Sequence, residues 1–157
     1  MFERKHHQRI AKVLEALDSD LFSGAECYFG GGTAITLALG EYRESRDIDF
    51  LCASQAGYRE LRSRVFGGRL DGLTVKPLKA LRDVRADQYG IRTFVEVDGE
   101  PIKFEIIREA RITLDGEQNQ RIGVPQLVRQ DMFAEKLLAN ADRWADRSVL
   151  RACPKSG

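Results

Sequence analysis

Apolar residues alternate between helical and strand-like spacing through the first 68 residues of the chain. In some stretches they recur every three or four positions, as on one face of a helix, and in others they form short aromatic or branched runs. Glycines at 30–32 and 67–68 fall where turns are expected. The predicted elements are, in chain order, a helix over residues 3–17, a strand over 26–29, a helix over 33–40, a strand over 46–52 and a helix over 57–66.

Beyond residue 68 the pattern changes to period two, which predicts strands at 73–78, 91–97 and 102–107. Asp98-Gly99 separates the last two runs and predicts a hairpin turn. A strand fragment and polar turns fill 109–125, and a helical pattern then runs to about Ser148. We therefore predict one α/β or α+β domain over 1–157, with a helical part from about 125; the spacing does not separate the two classes.

The composition is that of a globular protein, with 157 residues, 43% hydrophobic and 31% charged residues, and a net charge of +1. This balance argues against a generally basic nucleic-acid coat but permits a local basic patch. Cys27, Cys52 and Cys153 are odd in number and widely spaced, so neither a disulfide scaffold nor a zinc site is indicated. We expect Cys27 and Cys52 to be buried thiols in a reducing compartment.

The amino terminus lacks the apolar core of a signal peptide, and no stretch approaches the length of a membrane span. We therefore expect a cytoplasmic protein with no membrane partner. His6 and His7 border the apolar stripe of the first helix. Neighbouring helical residues cannot both face one metal, so we interpret them as partly covered histidines rather than ligands.

Asp47 and Asp49 flank Ile48 in the predicted strand over 46–52. Side chains two residues apart share a face of a strand, so both carboxylates point one way while Ile48 points into the core. Two such carboxylates repel each other unless a cation lies between them. For two aspartates alone, a solvated strand face or a pairing with Arg43 or Arg46 is the simpler explanation.

A third carboxylate, Glu105, lies opposite the apolar face of the predicted strand over 102–107, together with Lys103. Hard cations such as Mg²⁺ take oxygen ligands from carboxylates and substrate phosphates. Two such ions can activate an attacking hydroxyl and neutralise a leaving pyrophosphate. Carboxylates on two core strands suit that chemistry.

Gly31, Gly32 and Thr33 lie where a glycine-rich turn opens a helix. Bare backbone N–H groups and the positive end of the helix dipole suit phosphate at such a place. Neither G-x-G-x-x-G nor a P-loop is present. A tight turn is the usual role of three glycines when nothing else accompanies them.

The carboxyl-terminal helix has three predicted faces at 100° per residue. Phe133, Leu137, Ala141 and Trp144 form the predicted buried face. Beside it lies a basic and polar stripe that can lean into a cleft and meet phosphates, and an acidic stripe follows further round. A solvated face with i,i+4 pairs is equally compatible with the pattern. The basic stripe is Lys136, Asn140, Arg143 and Arg147, and the acidic stripe is Glu135, Asp142 and Asp146.

Together, G-G-T at 31–33, R-x-S-x-D-I-D-F at 43–50, a later strand carboxylate and F-A-E-K-L-L-A at 133–139 resemble a known family. The family is the minimal nucleotidyltransferases of abortive-infection toxins, the toxin halves of type IV toxin–antitoxin pairs. The resemblance runs from about residue 26 to about 148. It implies a polymerase-β-like nucleotidyltransferase fold, with a mixed β-sheet flanked by helices and a carboxyl-terminal helix.

The resemblance also implies roles for individual residues. Asp47 and Asp49 would bind Mg²⁺, with Mn²⁺ as an alternative, and Glu105 would complete the metal set and activate the acceptor hydroxyl. Lys136 would contact the triphosphate and belong to the catalytic set. Pattern and resemblance together give the expected nucleotide-binding residues as Gly31, Gly32, Thr33, Arg43, Ser45, Lys136 and Arg143.

The implied reaction is Mg²⁺-dependent transfer of a nucleotidyl group from an NTP to an acceptor hydroxyl, on RNA (particularly tRNA) or on protein, with a cognate antitoxin as partner. Family members usually continue past the D-R-W-A-D-R-S-V segment with an Arg-Asp pair, a further Asp and more helices, whereas this chain ends in L-R-A-C-P-K-S-G. We therefore expect a shortened carboxyl end. A small-molecule nucleotidyltransferase and a non-catalytic nucleotide-binding remnant remain the alternatives.

Overall fold

The computed structural model describes residues 1–152 and the side chains of residues 1–146. Its helices are α1 (Lys5–Ala16), α2 (Ser19–Gly24), α3 (Gly31–Ala38), α4 (Gln55–Arg64) and α5 (Arg129–Ala152), with a 3₁₀ turn at Asp71–Leu73. Its strands are β1 (Cys27–Gly30), β2 (Ile48–Cys52), β3 (Lys79–Ala80), β4 (Arg85–Ala86), β5 (Gly90–Val97), β6 (Glu100–Arg108), β7 (Gly116–Asn119) and β8 (Val124–Leu127).

The described strands form one eight-stranded mixed sheet in the order β3-β5-β6-β2-β1-β8-β7, with β4 also paired to β5. Parallel pairs join β2 to β6 and β1 to β8. The other pairs, including the β5–β6 hairpin, are antiparallel. A mixed sheet flanked by helices, with a carboxyl-terminal helix, confirms the predicted fold class.

Aromatic side chains on one face of the central strands, together with Phe22 of α2, form the middle of the core. The ring of Phe50 lies 4.7 Å from Phe22, 5.6 Å from Phe29 and 6.0 Å from Phe104, measured between centroids. All four side chains are fully buried. Because side chains alternate along a strand, this packing directs the residues between them to the opposite face of the sheet.

Cys27 and Cys52 are buried free thiols at paired positions of β1 and β2, as predicted. Burial raises the pKa of the Cys27 thiol, and a hydrogen bond with Cys52 raises it further. Cys153 lies outside the described residues.

Two predicted elements differ in the structure. The strand predicted at 73–78 is absent: Leu73 ends the 3₁₀ turn, and the backbone N–H groups of Val75 and Lys76 donate to the carbonyl of Ala16 instead of a strand. Pro77 has no N–H to donate to a ladder, which also disfavours a strand here. The helix predicted directly after Pro125 begins only at Arg129, because the preceding residues form β8 beside β1.

The predicted buried face of the carboxyl-terminal helix is wrong. Phe133, Leu137 and Trp144 of α5 are 43%, 69% and 73% exposed, and Ala141 is exposed as well. Met132 and Glu135 are the buried side chains instead. The helix is therefore rotated relative to the prediction, which placed Glu135 on an acidic stripe away from the core.

An arginine next to β6 fixes this rotation. Arg111 Nη2 lies 2.8 Å from Glu109 Oε2 and Arg111 Nη1 lies 2.9 Å from Asp142 Oδ2 of α5, while Glu135 Oε2 is 3.9 Å away. Burial, followed by a hydrogen bond with Glu109, raises the pKa of Glu135 to about 7. One guanidinium thus joins the chain after β6 to two turns of α5.

Replacing Arg111 with alanine is expected to destabilise the protein by roughly 2 to 3 kcal/mol. That is less than a fully buried pair loses on removal of one partner, because Arg111 is 48% exposed. The measurement is urea denaturation at pH 8. Arg111→Lys keeps the charge but not the fork, so we expect an intermediate loss, and equal stability of R111A and wild type would contradict this account.

Candidate active site

Two of the predicted carboxylates lie side by side on the face of the sheet opposite the aromatic core. Asp49 of β2 and Glu105 of β6 are register partners in the parallel pair. Asp47 immediately precedes β2 and is exposed, Asp49 is partly buried and Glu105 is 9% exposed. The structure thus brings together carboxylates that are 56 residues apart in the chain.

The three carboxylates interact electrostatically. Burial first, and then the charges of Glu105 and Asp47, raise the pKa of Asp49 to about 6, while Lys103 opposes the shift. Repulsion of this kind is relieved by a cation. Among residues 1–146, no three His, Cys, Asp or Glu side chains are arranged to hold a metal by themselves. Mg²⁺ bound by one or two carboxylates completes its shell with substrate phosphates and water, so this donor set suits Mg²⁺ held jointly with a nucleotide.

Two cationic side chains hold the carboxylate of Glu105. Arg92 Nε of β5 donates to Glu105 Oε2 at 3.2 Å, and Lys103 Nζ lies 3.5 Å from the same oxygen. Arg92 is the antiparallel register partner of Glu105. Arg92 was not among the predicted site residues, although the hairpin turn at Asp98-Gly99 fixes this register.

The glycines approach the carboxylates closely. Gly31 has a φ of 72°, and a β-carbon on it would lie 2.7 Å from Asp49 Oδ2. A β-carbon on Gly32 would lie 2.9 Å from Arg43 Nη2. Both glycines lie in the first turn of α3, and the absence of side chains there leaves the helix N-terminus open next to Asp49.

Thr33 and Ser45 support the site from within. Their hydroxyl oxygens are 2.8 Å apart, and Thr33 Oγ1 also donates to the backbone carbonyl of Asp47. Both side chains are buried, at 1% and 8% exposed. These hydrogen bonds fix the chain segment that leads into β2. A direct contact of Thr33 or Ser45 with a nucleotide remains a prediction.

His7 also holds this loop. Its Nε2 accepts from the backbone N–H of Ser45 at 3.0 Å, and its Nδ1 lies 2.7 Å from Glu41 Oε1. Nδ1 must therefore carry the proton and donate to Glu41. His7 is fully buried and His6 is partly covered, with its Nε2 3.1 Å from the carbonyl of Arg46.

Basic side chains flank the glycines. The guanidinium of Arg43 is exposed and lies 5.8 Å from the centre of the Tyr42 ring. Hydrogen bonds from Arg43 and Thr36 lower the pKa of Tyr42, and the charge of Lys136 contributes to the same shift. Lys136 belongs to α5, which packs against α3, and its charge acts on Tyr42. Arg43 and Lys136 form no ion pair with any described residue, and Arg143, two turns further along α5, is exposed.

A family model described as "Nucleotidyl transferase AbiEii toxin, Type IV TA system" matches residues 12–151. The chain belongs to the AbiEii family. This confirms the family resemblance seen in the sequence. No curated protein matches the chain.

Two solved structures have a similar fold to this AbiEii chain. One is a protein from H. pylori for which a nucleotidyltransferase role has been suggested, with a TM-score of 0.51 and 16% identity over 84% of this chain and 56% of that one. The other is JHP933 from Helicobacter pylori, with a TM-score of 0.51 and 16% identity over 87% of this chain and 58% of that one. At this identity the likeness concerns the fold. The AbiEii chain spans somewhat more than half the length of these two proteins. Within its described part, no helix has the length and hydropathy needed to cross a bilayer.

Replacing Asp49 with asparagine is expected to stabilise the AbiEii protein at high pH. The folded protein holds a proton on Asp49 up to a pKa of about 6, against an ordinary value of 3.8. Between these values the folded state binds more protons than the unfolded state, so the free energy of unfolding falls as the pH rises. Asp49→Asn should raise that free energy by up to about 3 kcal/mol at pH 8 and by little at pH 4.

Urea denaturation at the two pH values measures this effect. Asp20→Asn, at an exposed aspartate in the first turn of α2, is the matched control and should lower the free energy of unfolding by no more than about 1 kcal/mol at either pH. A D49N protein less stable than wild type at pH 8 would show that the carboxylate is stabilised by contacts rather than strained by repulsion.

Replacing Gly31 with alanine should weaken ligand binding at the site, in addition to destabilising the backbone at that position. Gly40 is the control, because its φ of 74° matches the 72° of Gly31 while a β-carbon there would meet no atom within 4 Å. Alanine at either position should lower the free energy of unfolding by about 1–2 kcal/mol, because the backbone there is left-handed. Only G31A displaces Asp49, so only G31A should lose Mg²⁺-dependent NTP binding, measured by calorimetry. Equal NTP binding by G31A and G40A would show that Gly31 is not part of the binding site.

Proposed function

We propose that this chain transfers a nucleotidyl group from an NTP to an acceptor hydroxyl in a Mg²⁺-dependent reaction, as the toxin of a type IV pair. One observation supports this most: Asp49 and Glu105 lie side by side, coupled to Asp47, directly against the open first turn of α3. Family membership and the fold of the two solved structures support the same proposal.

The carboxylates of Asp47 and Asp49, with Glu105 beside them, would hold Mg²⁺, and Mn²⁺ has the same ligand preference. When bound, the metal supplies charge neutralisation at the phosphates and lowers the pKa of the attacking hydroxyl. Burial raises the cost of ionising Asp49. We therefore expect metal affinity to fall below pH 6, where Asp49 holds a proton.

The chain's own groups have separable tasks. The first backbone N–H groups of α3, at Gly31 and Gly32, would bind phosphate oxygens at the positive end of the helix dipole. Arg43 and Lys136, which form no ion pair with any described residue, would bind the remaining triphosphate charge. Glu105 would accept the proton of the acceptor hydroxyl, with its carboxylate oriented by Arg92 and Lys103.

In the reaction, the acceptor oxygen forms a bond to the α-phosphorus while the bond from that phosphorus to the bridging oxygen breaks. Pyrophosphate leaves, and the proton passes to Glu105. Neither oxidant nor reductant is needed. RNA, particularly tRNA, or a protein hydroxyl would be the acceptor, and an antitoxin would be the protein partner. A small-molecule acceptor would use the same residues, so the acceptor is decided by experiment.

The test is incubation of the full chain with each α-labelled NTP, Mg²⁺ and total cellular RNA or protein. Wild-type protein and the Asp20→Asn control should transfer label from one NTP. Asp49→Asn should lose transfer, and Glu105→Gln should lose roughly 10²–10⁴-fold in rate, the usual contribution of a general base.

Each result decides between the acceptors. Label on RNA, on protein or on a small molecule of the extract names the acceptor class. Nucleotide bound without transfer to any of them would favour a non-catalytic nucleotide-binding protein and contradict the proposal.

A further inference from the structure

A single row of register partners crosses four strands on the open face of the sheet. Asp49 of β2 pairs with Glu105 of β6, Glu105 pairs with Arg92 of β5, and Arg92 pairs with Arg85 of β4. Register partners point to the same face of a sheet. The row is acidic at β2 and β6 and basic at β5 and β4.

Two further basic side chains lie next to the basic end of this row. Lys103 of β6 is the register partner of Phe94 of β5, and the guanidinium of Arg82 stacks on the Phe94 ring at 4.5 Å from its centroid. Lys103 and Arg92 are 42% and 44% exposed. We call Arg82, Arg85, Arg92 and Lys103 the basic rim.

Two arginines of the basic rim form no ion pair in the part of the chain whose side chains are described. Arg82 and Arg85 are exposed, and neither forms an ion pair with a residue whose side chain is described. Arg92, in contrast, is held by Glu105 and by Asp87, whose Oδ2 lies 3.6 Å from Arg92 Nη1. Asp83 lies between these two arginines in the chain, and its β-carbon is 3.2 Å from the position that a β-carbon added to Gly68 would take. The outer end of the row therefore presents positive charge to solvent.

The basic rim lies on the other side of the carboxylates from the groups proposed to bind the NTP. In the strand order β5-β6-β2-β1, the three rim arginines lie on β5 or in the edge segment beside it and Lys103 lies on β6, whereas the α3 glycines follow β1. In-line displacement at phosphorus places the attacking and leaving oxygens on opposite sides. With the triphosphate at Gly31 and Arg43, an acceptor arrives from the side of the rim.

We propose that the basic rim binds the phosphate backbone of an RNA acceptor, with Arg82 and Arg85 as its sequence-independent contacts. The inference rests on the proposed function for the direction of approach. Forked guanidinium groups match phosphate oxygens in geometry and charge. Unpaired arginines beside an acidic centre also offset the repulsion that its carboxylates exert on a polyanion.

Binding of a fluorescein-labelled single-stranded RNA oligomer, followed by anisotropy over a series of salt concentrations, tests this. The full chain is used in EDTA without NTP, so no turnover is required. Arg85→Gln is compared with Arg59→Gln, at an exposed arginine of α4 that is outside the rim. The slope of log Kd against log salt should fall by roughly 0.7 in R85Q and by roughly 1.4 in R82Q/R85Q, as expected for one and two phosphate contacts on a single strand, and should not change in R59Q.

The outcomes separate this inference from the proposed function. A reduced slope in the rim variants supports the rim even if wild-type protein transfers no nucleotide. Unchanged affinity and slope in R82Q/R85Q overturn it, as does a wild-type protein that labels protein or a small molecule and does not bind RNA. Calorimetric NTP affinity in Mg²⁺ should be the same in R85Q and wild type, and a loss there would place Arg85 with the nucleotide and overturn the assignment.

Discussion

Asp49 and Glu105 lie together because β2 and β6 pair in parallel, with Ile48 beside Phe104 and Phe50 beside Ile106. Those four apolar side chains are fully buried, so the register is held by the core and not by the carboxylates. A slip of one residue would turn the apolar set to solvent and the acids inward. The core therefore supplies the free energy that keeps two like charges side by side.

Cationic side chains lie on both sides of these two carboxylates. Arg92 of β5 and Lys103 of β6 pair with Glu105, while Arg43 and Lys136 lie on the α3 side and form no ion pair with any described residue. Paired cations orient a carboxylate, and unpaired ones remain available for a ligand. The loop that carries Arg43 is in turn held by His7, whose two ring nitrogens are both engaged. Helix α1 thus stabilises the loop beside the site, although no residue of α1 lies in the site itself.

Local patterns in the sequence predict much of this arrangement. The two-residue turn at Asp98-Gly99 joins β5 to β6, and the register it sets, Val97 with Glu100, places Arg92 opposite Glu105 by counting back along the hairpin. Arg92 is therefore predictable from this turn, although it was not among the predicted site residues. The parallel pairing of β2 with β6 has no local signal, because it joins segments separated by α4 and a hairpin strand.

Helix α5 shows why periodicity alone can mislead. Its apolar stripe through Phe133 and Leu137 is real in the sequence, yet these side chains are exposed, and Glu135 is buried in their place. The fork of Arg111, which holds Glu109 and Asp142, decides which face meets the sheet. A contact between an arginine after β6 and a helix that begins 18 residues later is not encoded in the spacing of either segment.

Glu135 and Asp49 also show why a raised pKa does not by itself identify an active site. Both carboxyls have pKa values raised primarily by burial, to about 7 and about 6. Glu135 Oε1 is buried and has no hydrogen-bond partner among the described residues, and its neighbours Glu109 and Arg111 serve the packing of α5. Asp49 instead adjoins Gly31, where a missing side chain leaves room for a ligand. In both cases the raised pKa shows that the protein destabilises the ionised carboxyl. A candidate reaction centre differs from a structural carboxyl in that a ligand can reach it.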